Sequence, residues 1–125
     1  MKTEHLDNGI IETWTPDEVF EALQAGSIVL IDVRTPAEYA FEHIEGSLLS
    51  PMAFTDPKSF PTQETKKIVL HCGSGVRSGR VAEMCLKAGF ERIAHMEGGF
   101  GAWKAGKLPH ISTDMATGAP KRVFP

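Results

Sequence analysis

Two unbroken apolar runs constrain this chain more than anything else in it. Ser27–Val33 (SIVLIDV) and Lys67–Cys72 (KIVLHC) are short, rich in β-branched residues, and lack the polar alternation of a strand with one wet face. Each predicts a strand covered on both sides, as in a parallel sheet with helices packed over it. The segments around them supply those helices. Thr15-Pro16-Asp17-Glu18 combines an N-cap, a proline at the first helical position and a glutamate able to reach back to the cap. With Trp14 and Val19 placed to close a hydrophobic staple, it predicts a helix over 16–25 that Gly26 stops.

A second cap, Thr35-Pro36-Ala37-Glu38, predicts a short helix, and Leu48-Leu49 before Pro51 a brief strand. From Met52 to Lys67 the mixed, proline-bearing sequence predicts loop with a helical turn or two. Val81, Met84, Cys85 and Ala88 then recur at helical spacing until Gly89. Arg92–Met96 predicts a further strand, Gly99–Ala105 a short helix carrying Phe100 and Trp103, and Gly106–Pro109 a stop. The alternation implies an α/β fold with an open sheet of four or five mainly parallel strands and right-handed crossovers.

At 125 residues the chain can bury one core but not two. We expect a single domain over residues 1–111 and a loosely ordered tail over 112–125, in which Val123-Phe124 could dock. A net charge of −3 and a pI near 5.9 argue against nucleic acid or an acidic membrane as partner. The amino terminus lacks a signal-type apolar stretch, and the longest apolar run, Ile28–Ile31, is far too short to span a bilayer. A cytoplasmic protein is the expectation. Two cysteines without a C-x-x-C pair, and no histidine pair at ligand spacing, indicate neither a disulfide scaffold nor a metal site. No cofactor is expected.

The chemistry concentrates in HCGSGVRSGR, residues 71–80. Cys72 ends a predicted strand, at the sheet edge where open α/β folds bind ligands. Gly73, Gly75 and Gly79 let the backbone curl with positive φ, so that several amides point into one concavity that suits an anion. A helix beginning near Ser78 and the charge of Arg77 add to this, so a thiolate at Cys72 is favoured over the thiol. Cys85, on the apolar face of that helix, reads as core. A dinucleotide-binding turn is a poor match because Ser78 stands where the motif needs glycine, and no Gly-Lys-Ser/Thr follows to make a P-loop. Attack on sulfur and attack on phosphorus both fit a cysteine loop closing on arginine; the smaller loop suits a single outer sulfur.

Three blocks resemble the rhodanese family of sulfurtransferases over roughly positions 12 to 110: DVRTPAEYAFEHIEGS from Asp32, CGSGVR from Cys72, and EGGFGAW from Glu97. The resemblance implies a five-stranded parallel sheet flanked by helices. It also implies that Cys72 accepts sulfane sulfur as a persulfide and passes it to a nucleophile. The donor would be a small anion such as thiosulfate, and the acceptor cyanide, a thiol or a protein. Related dual-specificity phosphatases have five residues between cysteine and arginine. Here there are four, which favours sulfur and leaves phosphatase or arsenate-reductase chemistry as the lesser alternative.

In this reading the loop residues Gly73, Ser74, Gly75, Val76 and Arg77 bind the substrate, with Arg77 holding the anionic donor and the amides of residues 73 to 77 stabilising the persulfide. Ser78 caps the helix or assists the donor. Asp32 and Arg34 support the site, pairing with each other or with the loop. His43 is structural, and His71 projects from the opposite strand face to Cys72. Two departures bear on substrate choice. Thiosulfate-using members often carry Arg or Lys where this chain has Gly73. Mercaptopyruvate-using members share a CGSGV loop but have threonine at Arg77 and arginine at Glu38. A relay or regulatory binding module on the same fold is the rival from another class.

Overall fold

A computed structural model describes all 125 residues. In chain order the elements are β1 (Lys2–Leu6), β2 (Gly9–Trp14), α1 (Pro16–Gln24), β3 (Ile28–Asp32), α2 (Pro36–Phe41), β4 (Glu42–His43) and β5 (Leu48–Leu49). After two single 3-10 turns come β6 (Lys67–His71), α3 (Val76–Lys87), β7 (Arg92–Met96), α4 (Gly99–Ala105), β8 (His110–Thr113) and β9 (Pro120–Val123). The main sheet runs β1-β2-β7-β6-β3-β5, with β1 antiparallel and every other pairing parallel.

Strand alternation sorts the apolar residues into two layers. Ile68, Leu70 and Cys72 face one side with Val81, Cys85 and Leu86 of α3, whereas Val69 faces the other with Val19 of α1 and Phe100 and Trp103 of α4. Both predicted capping boxes form: Thr15 with Glu18 and Thr35 with Glu38 each exchange side-chain and backbone hydrogen bonds. Trp103 is 1% exposed, donates Nε1–H to the Pro109 carbonyl at 2.9 Å and meets Phe20 edge-on.

The parallel, helix-flanked sheet matches expectation; the two ends of the chain depart from it, the second by forming a separate three-stranded sheet, β4-β8-β9. Two strands join the four expected ones: β2, half-buried beside β7, and the exposed β1, Lys2–Leu6, which folds back on β2 through Asp7-Asn8 without the apolar alternation that reveals a strand. Where a loose tail was expected after Ile111, β8 and β9 form an antiparallel hairpin that pairs with β4. Thr113 Oγ1–H donates to the Ala40 carbonyl at 2.8 Å, and Arg122 meets Glu45 at 2.8 Å. β9 is mostly exposed and held by its ladder and these polar ties, while β8 is anchored by His110, buried edge-on against Phe100, so apolar periodicity could not reveal the hairpin. No helix is long and apolar enough to cross a membrane.

Candidate active site

The site forms where β6 hands over to α3. Cys72 is completely buried and lies in the apolar layer beneath α3, yet its sulfur is not in a purely apolar setting. The Gly75 amide donates to Sγ at 3.0 Å, and Ser78 Oγ lies 3.7 Å away. Burial pushes the thiol up. The Ser78 amide, the Ser78 hydroxyl and the Ser74 and Gly75 amides outweigh it, so the Cys72 pKa falls below its ordinary value. Within the loop it is therefore residues 74, 75 and 78 that act on the sulfur.

The loop owes this shape to a left-handed turn. Gly75 has φ +105° and caps α3, which begins at Val76, two residues earlier than the sequence suggested. Ser78 consequently sits inside the first turn rather than at a cap, its hydroxyl buried among Cys72, the Gly75 carbonyl and His95. The capping role expected of it is corrected to a role beside the sulfur. The positive φ expected at Gly73 and Gly79 is corrected: only Gly75 of the three turns left-handed, and a Cβ on Gly73 would come within 3.2 Å of Arg77 Nη2.

The EGGF block seats the loop from behind, a function that sequence reading missed. Phe100 N–H donates to the Cys72 carbonyl at 2.8 Å and Gly101 N–H to the Gly73 carbonyl at 3.0 Å. A Cβ on Gly99, at φ +61°, would stand 2.5 Å from the Cys72 carbonyl oxygen. With the start of α4 taking the loop carbonyls from outside, the loop amides are left to face inward. The doubled glycine was the available signal for so close a backbone approach.

Arg77 differs from expectation. Its guanidinium is held bidentate by Glu38, at 2.7 and 3.1 Å, rather than standing free for an anion. The Arg77 hydrogen bonds and charge, with the amide and hydroxyl of Thr35, bring the Glu38 carboxyl down to about 2 despite its partial burial. The same Glu38 Oε1 closes the capping box of α2, so one carboxylate ties α2 to the loop. Although Glu38 holds it, the Arg77 guanidinium still interacts with the Cys72 sulfur through charge; the hydrogen bonds from Ser78, Ser74 and Gly75 are the leading causes of the lowered thiol pKa.

Asp32 and Arg34 pair with each other at 2.8 Å in full burial. Arg34 also donates to the Glu42 carbonyl at 2.7 Å and stacks over Phe100. His71 is buried on the other strand face from Cys72, its Nε2 3.5 Å from Asp32 and its Nδ1 3.3 Å from the Cys72 carbonyl. Desolvation holds it below its usual pKa, so it is neutral and supports the loop from below. His43 stacks on Tyr39 and bonds its carbonyl at 2.9 Å, away from the sulfur, as expected of a structural residue. Cys85 is equally buried with no polar partner, and burial pushes its thiol up to about 12.

The family model for the rhodanese-like domain matches residues 15–106. The chain belongs to that family. Among curated relatives, it is 38% identical over 104 residues to an uncharacterized protein of Synechocystis, covering 83% of this chain and 58% of that protein. It is 38% identical to the probable adenylyltransferase/sulfurtransferase MoeZ of Mycobacterium tuberculosis, covering 79% of this chain and only 26% of that one. The rhodanese-like chain thus spans little more than half of one of these relatives and about a quarter of the other. Thiosulfate sulfurtransferase GlpE of Coxiella burnetii is 33% identical over 70% of this chain and 82% of its own.

Among solved structures, a rhodanese-related protein of Thermoplasma volcanium matches at TM-score 0.69 and 24% identity over 79% of this chain and 96% of that one, which speaks to the fold. A Rhodopseudomonas palustris protein of unknown function, described as a possible tyrosine phosphatase, matches at TM-score 0.64 and 31% identity over 77% and 81%. Family and fold thereby agree with the architecture reached from the residues.

Proposed function

We propose that this rhodanese-like domain is a sulfurtransferase in which Cys72 carries sulfane sulfur as a persulfide. The observation that carries the reading is the Gly75 amide on Sγ at 3.0 Å, backed by the Ser74 and Ser78 amides: donors already aimed at a sulfur anion before any substrate arrives. With thiosulfate as donor, the thiolate attacks the outer sulfur. The S–S bond breaks, and sulfite leaves with the electron pair. The persulfide sulfur is then attacked by cyanide or a thiolate, forming thiocyanate or a new persulfide and returning the Cys72 thiolate. Ping-pong kinetics follow.

The sulfur-sized loop, with four residues between Cys72 and Arg77, supports this over attack on phosphorus. Gly73, Ser74, Gly75, Val76 and Arg77 form the substrate-binding loop in this proposal, with Asp32, Arg34 and Ser78 supporting it. An anionic donor has to draw Arg77 away from Glu38. The similarity to GlpE favours thiosulfate or a related anion as the donor class. We also infer a cytoplasmic setting, where both thiols stay reduced, and a catalytic domain over 1–111 whose last strand, β8, runs on into residues 112–125 to form the hairpin with β9.

A second reading rests on one observation: Cys72 has no exposed surface although its loop residues Ser74 and Val76 are exposed. A relay module that opens only to a protein partner would have this form, and the exposed Phe124 at the chain end is then the docking candidate. One experiment separates the two. Incubated with thiosulfate or mercaptopyruvate, the pure protein gains one sulfur by intact mass and Cys72→Ser gains none. No gain with either donor transfers the proposal to the relay reading.

A further inference from the structure

His95 on β7 has neither ring nitrogen committed to the backbone. Its Nδ1 lies 2.9 Å from Ser78 Oγ and its Nε2 3.4 Å from Thr13 Oγ1. Ser78 is fully buried, and its oxygen is 3.7 Å from Cys72 Sγ. Three side chains from three segments therefore form a line from sulfur to imidazole, and nothing in the transfer of sulfur by Cys72 requires the last of them. We propose that His95 is a positioning residue for the Cys72 thiol, drawing its proton away through the Ser78 hydroxyl. This rests on Cys72 being the nucleophile of the proposed function.

The step balances within the protein. The S–H bond of Cys72 breaks as its proton binds Ser78 Oγ, and the original Ser78 O–H bond breaks as Nδ1–H forms on His95. The products are a thiolate, an intact serine hydroxyl and an imidazolium. Ser78 then donates to the thiolate and accepts from Nδ1–H, Nε2–H donates to Thr13, and the Gly75 amide holds the sulfur. Neither oxidant nor reductant is needed.

The surroundings suit the task. From β1, the Glu4 carboxylate favours the charged ring; β2 presents the Thr13 hydroxyl, β6 the neighbouring Leu70, and α3 the uncharged Ser78 and Gly79. Desolvation is the larger influence and lowers the His95 pKa, so the ring is neutral near pH 7 before the transfer; the imidazolium it becomes is held against that burial cost by Glu4 and by the thiolate formed beside it. Glu4 and Thr13 both precede residue 15, where the family match begins, so this support comes from the amino-terminal hairpin of this chain.

Iodoacetamide alkylation of Cys72 against pH tests the proposal on the full chain. His95→Gln is expected to raise the thiol pKa by about one unit, cutting the rate near pH 6 about tenfold while leaving the limiting alkaline rate unchanged. Ser78→Ala shifts the same way, and the double variant shifts no further than Ser78→Ala alone because the two act in series. Superimposable profiles for wild type and His95→Gln, additive shifts, or a lowered alkaline plateau at unchanged pKa would each overturn it. If His95→Gln does not fold, Cys72→Ser decides. Coupling is reciprocal, so the His95 ring pKa read by NMR falls by about one unit in that variant, and an unchanged value sinks the proposal. Alkylation involves no sulfur donor, so these outcomes are independent of whether the protein gains sulfur by mass.

Discussion

Cys72 and Cys85 are both wholly buried and share one apolar layer beneath α3, yet their thiols move in opposite directions. Cys85 meets only apolar neighbours and follows the rule for burial, rising to about 12. Cys72 also carries a burial penalty, but the Ser78 amide and hydroxyl and the amides of Ser74 and Gly75 overcome it. Depth does not distinguish an inert cysteine from a nucleophile; the direction of nearby N–H groups does. The Arg77 charge, the obvious candidate in the sequence, is held by Glu38 and acts on the sulfur behind the hydrogen bonds of the loop, which come from neutral groups.

The contrast can be broken or sharpened, beginning with the largest effect. At pH 7 and with native fold retained, iodoacetamide should alkylate Cys72 at least about a thousandfold faster than Cys85, as peptide mapping by mass would show, since the thiolate fraction falls tenfold per pKa unit. Comparable rates would erase the distinction. Gly99→Ala pushes a methyl group against the Cys72 and Gly73 backbone and should cut sulfur transfer about a hundredfold, with the thiol pKa rising as the loop amides turn away. A Gly99→Ala protein of unaltered pKa would show that α4 does not aim the loop.

Smaller effects probe the other partners. Cys85→Ala should lower unfolding stability by about 1 kcal/mol in urea melts and leave the kcat of sulfur transfer unchanged, as expected for core filler. A lost activity would make Cys85 a participant. Glu38→Gln frees Arg77 and should lower KM for thiosulfate by no more than about fivefold, because a pair this exposed is worth under about 1 kcal/mol. Its effect on stability has a definite sign. The carboxyl pKa is depressed, so the contribution is present above its ordinary value near 4.5 and lost as pH falls through about 2. The stability difference between wild type and variant should therefore vanish in acid.

Legibility in the sequence followed the physical cause of each element. β3 and β6 were plain because burial on both faces leaves an unbroken apolar run, and α1 and α2 because capping boxes are local. β1 and β9 were missed because exposed strands held by ladder bonds impose no apolar period, and β2, β4 and β8 because these short, half-buried segments show no unbroken apolar run. Within the site, Cys72 and its glycine loop were legible from adjacent residues. The clasp of Glu38 on Arg77 and the approach of His95 to Ser78 were not, since they join residues 39 and 17 positions apart that meet only through packing. Glu12 is a further case: nearly buried, it gathers Trp14, Lys67 and Arg92 from three segments, and its isolated carboxylate carries no motif.

By itself the sequence determined a parallel, helix-covered sheet and a cysteine at its carboxyl edge, because periodicity, caps and glycine turns act over a few neighbouring residues. Only the tertiary structure decided which groups face that sulfur. Amide direction and ion-pair choice depend on where α4, α2 and β7 come to rest against the loop, and those placements are set by the core as a whole.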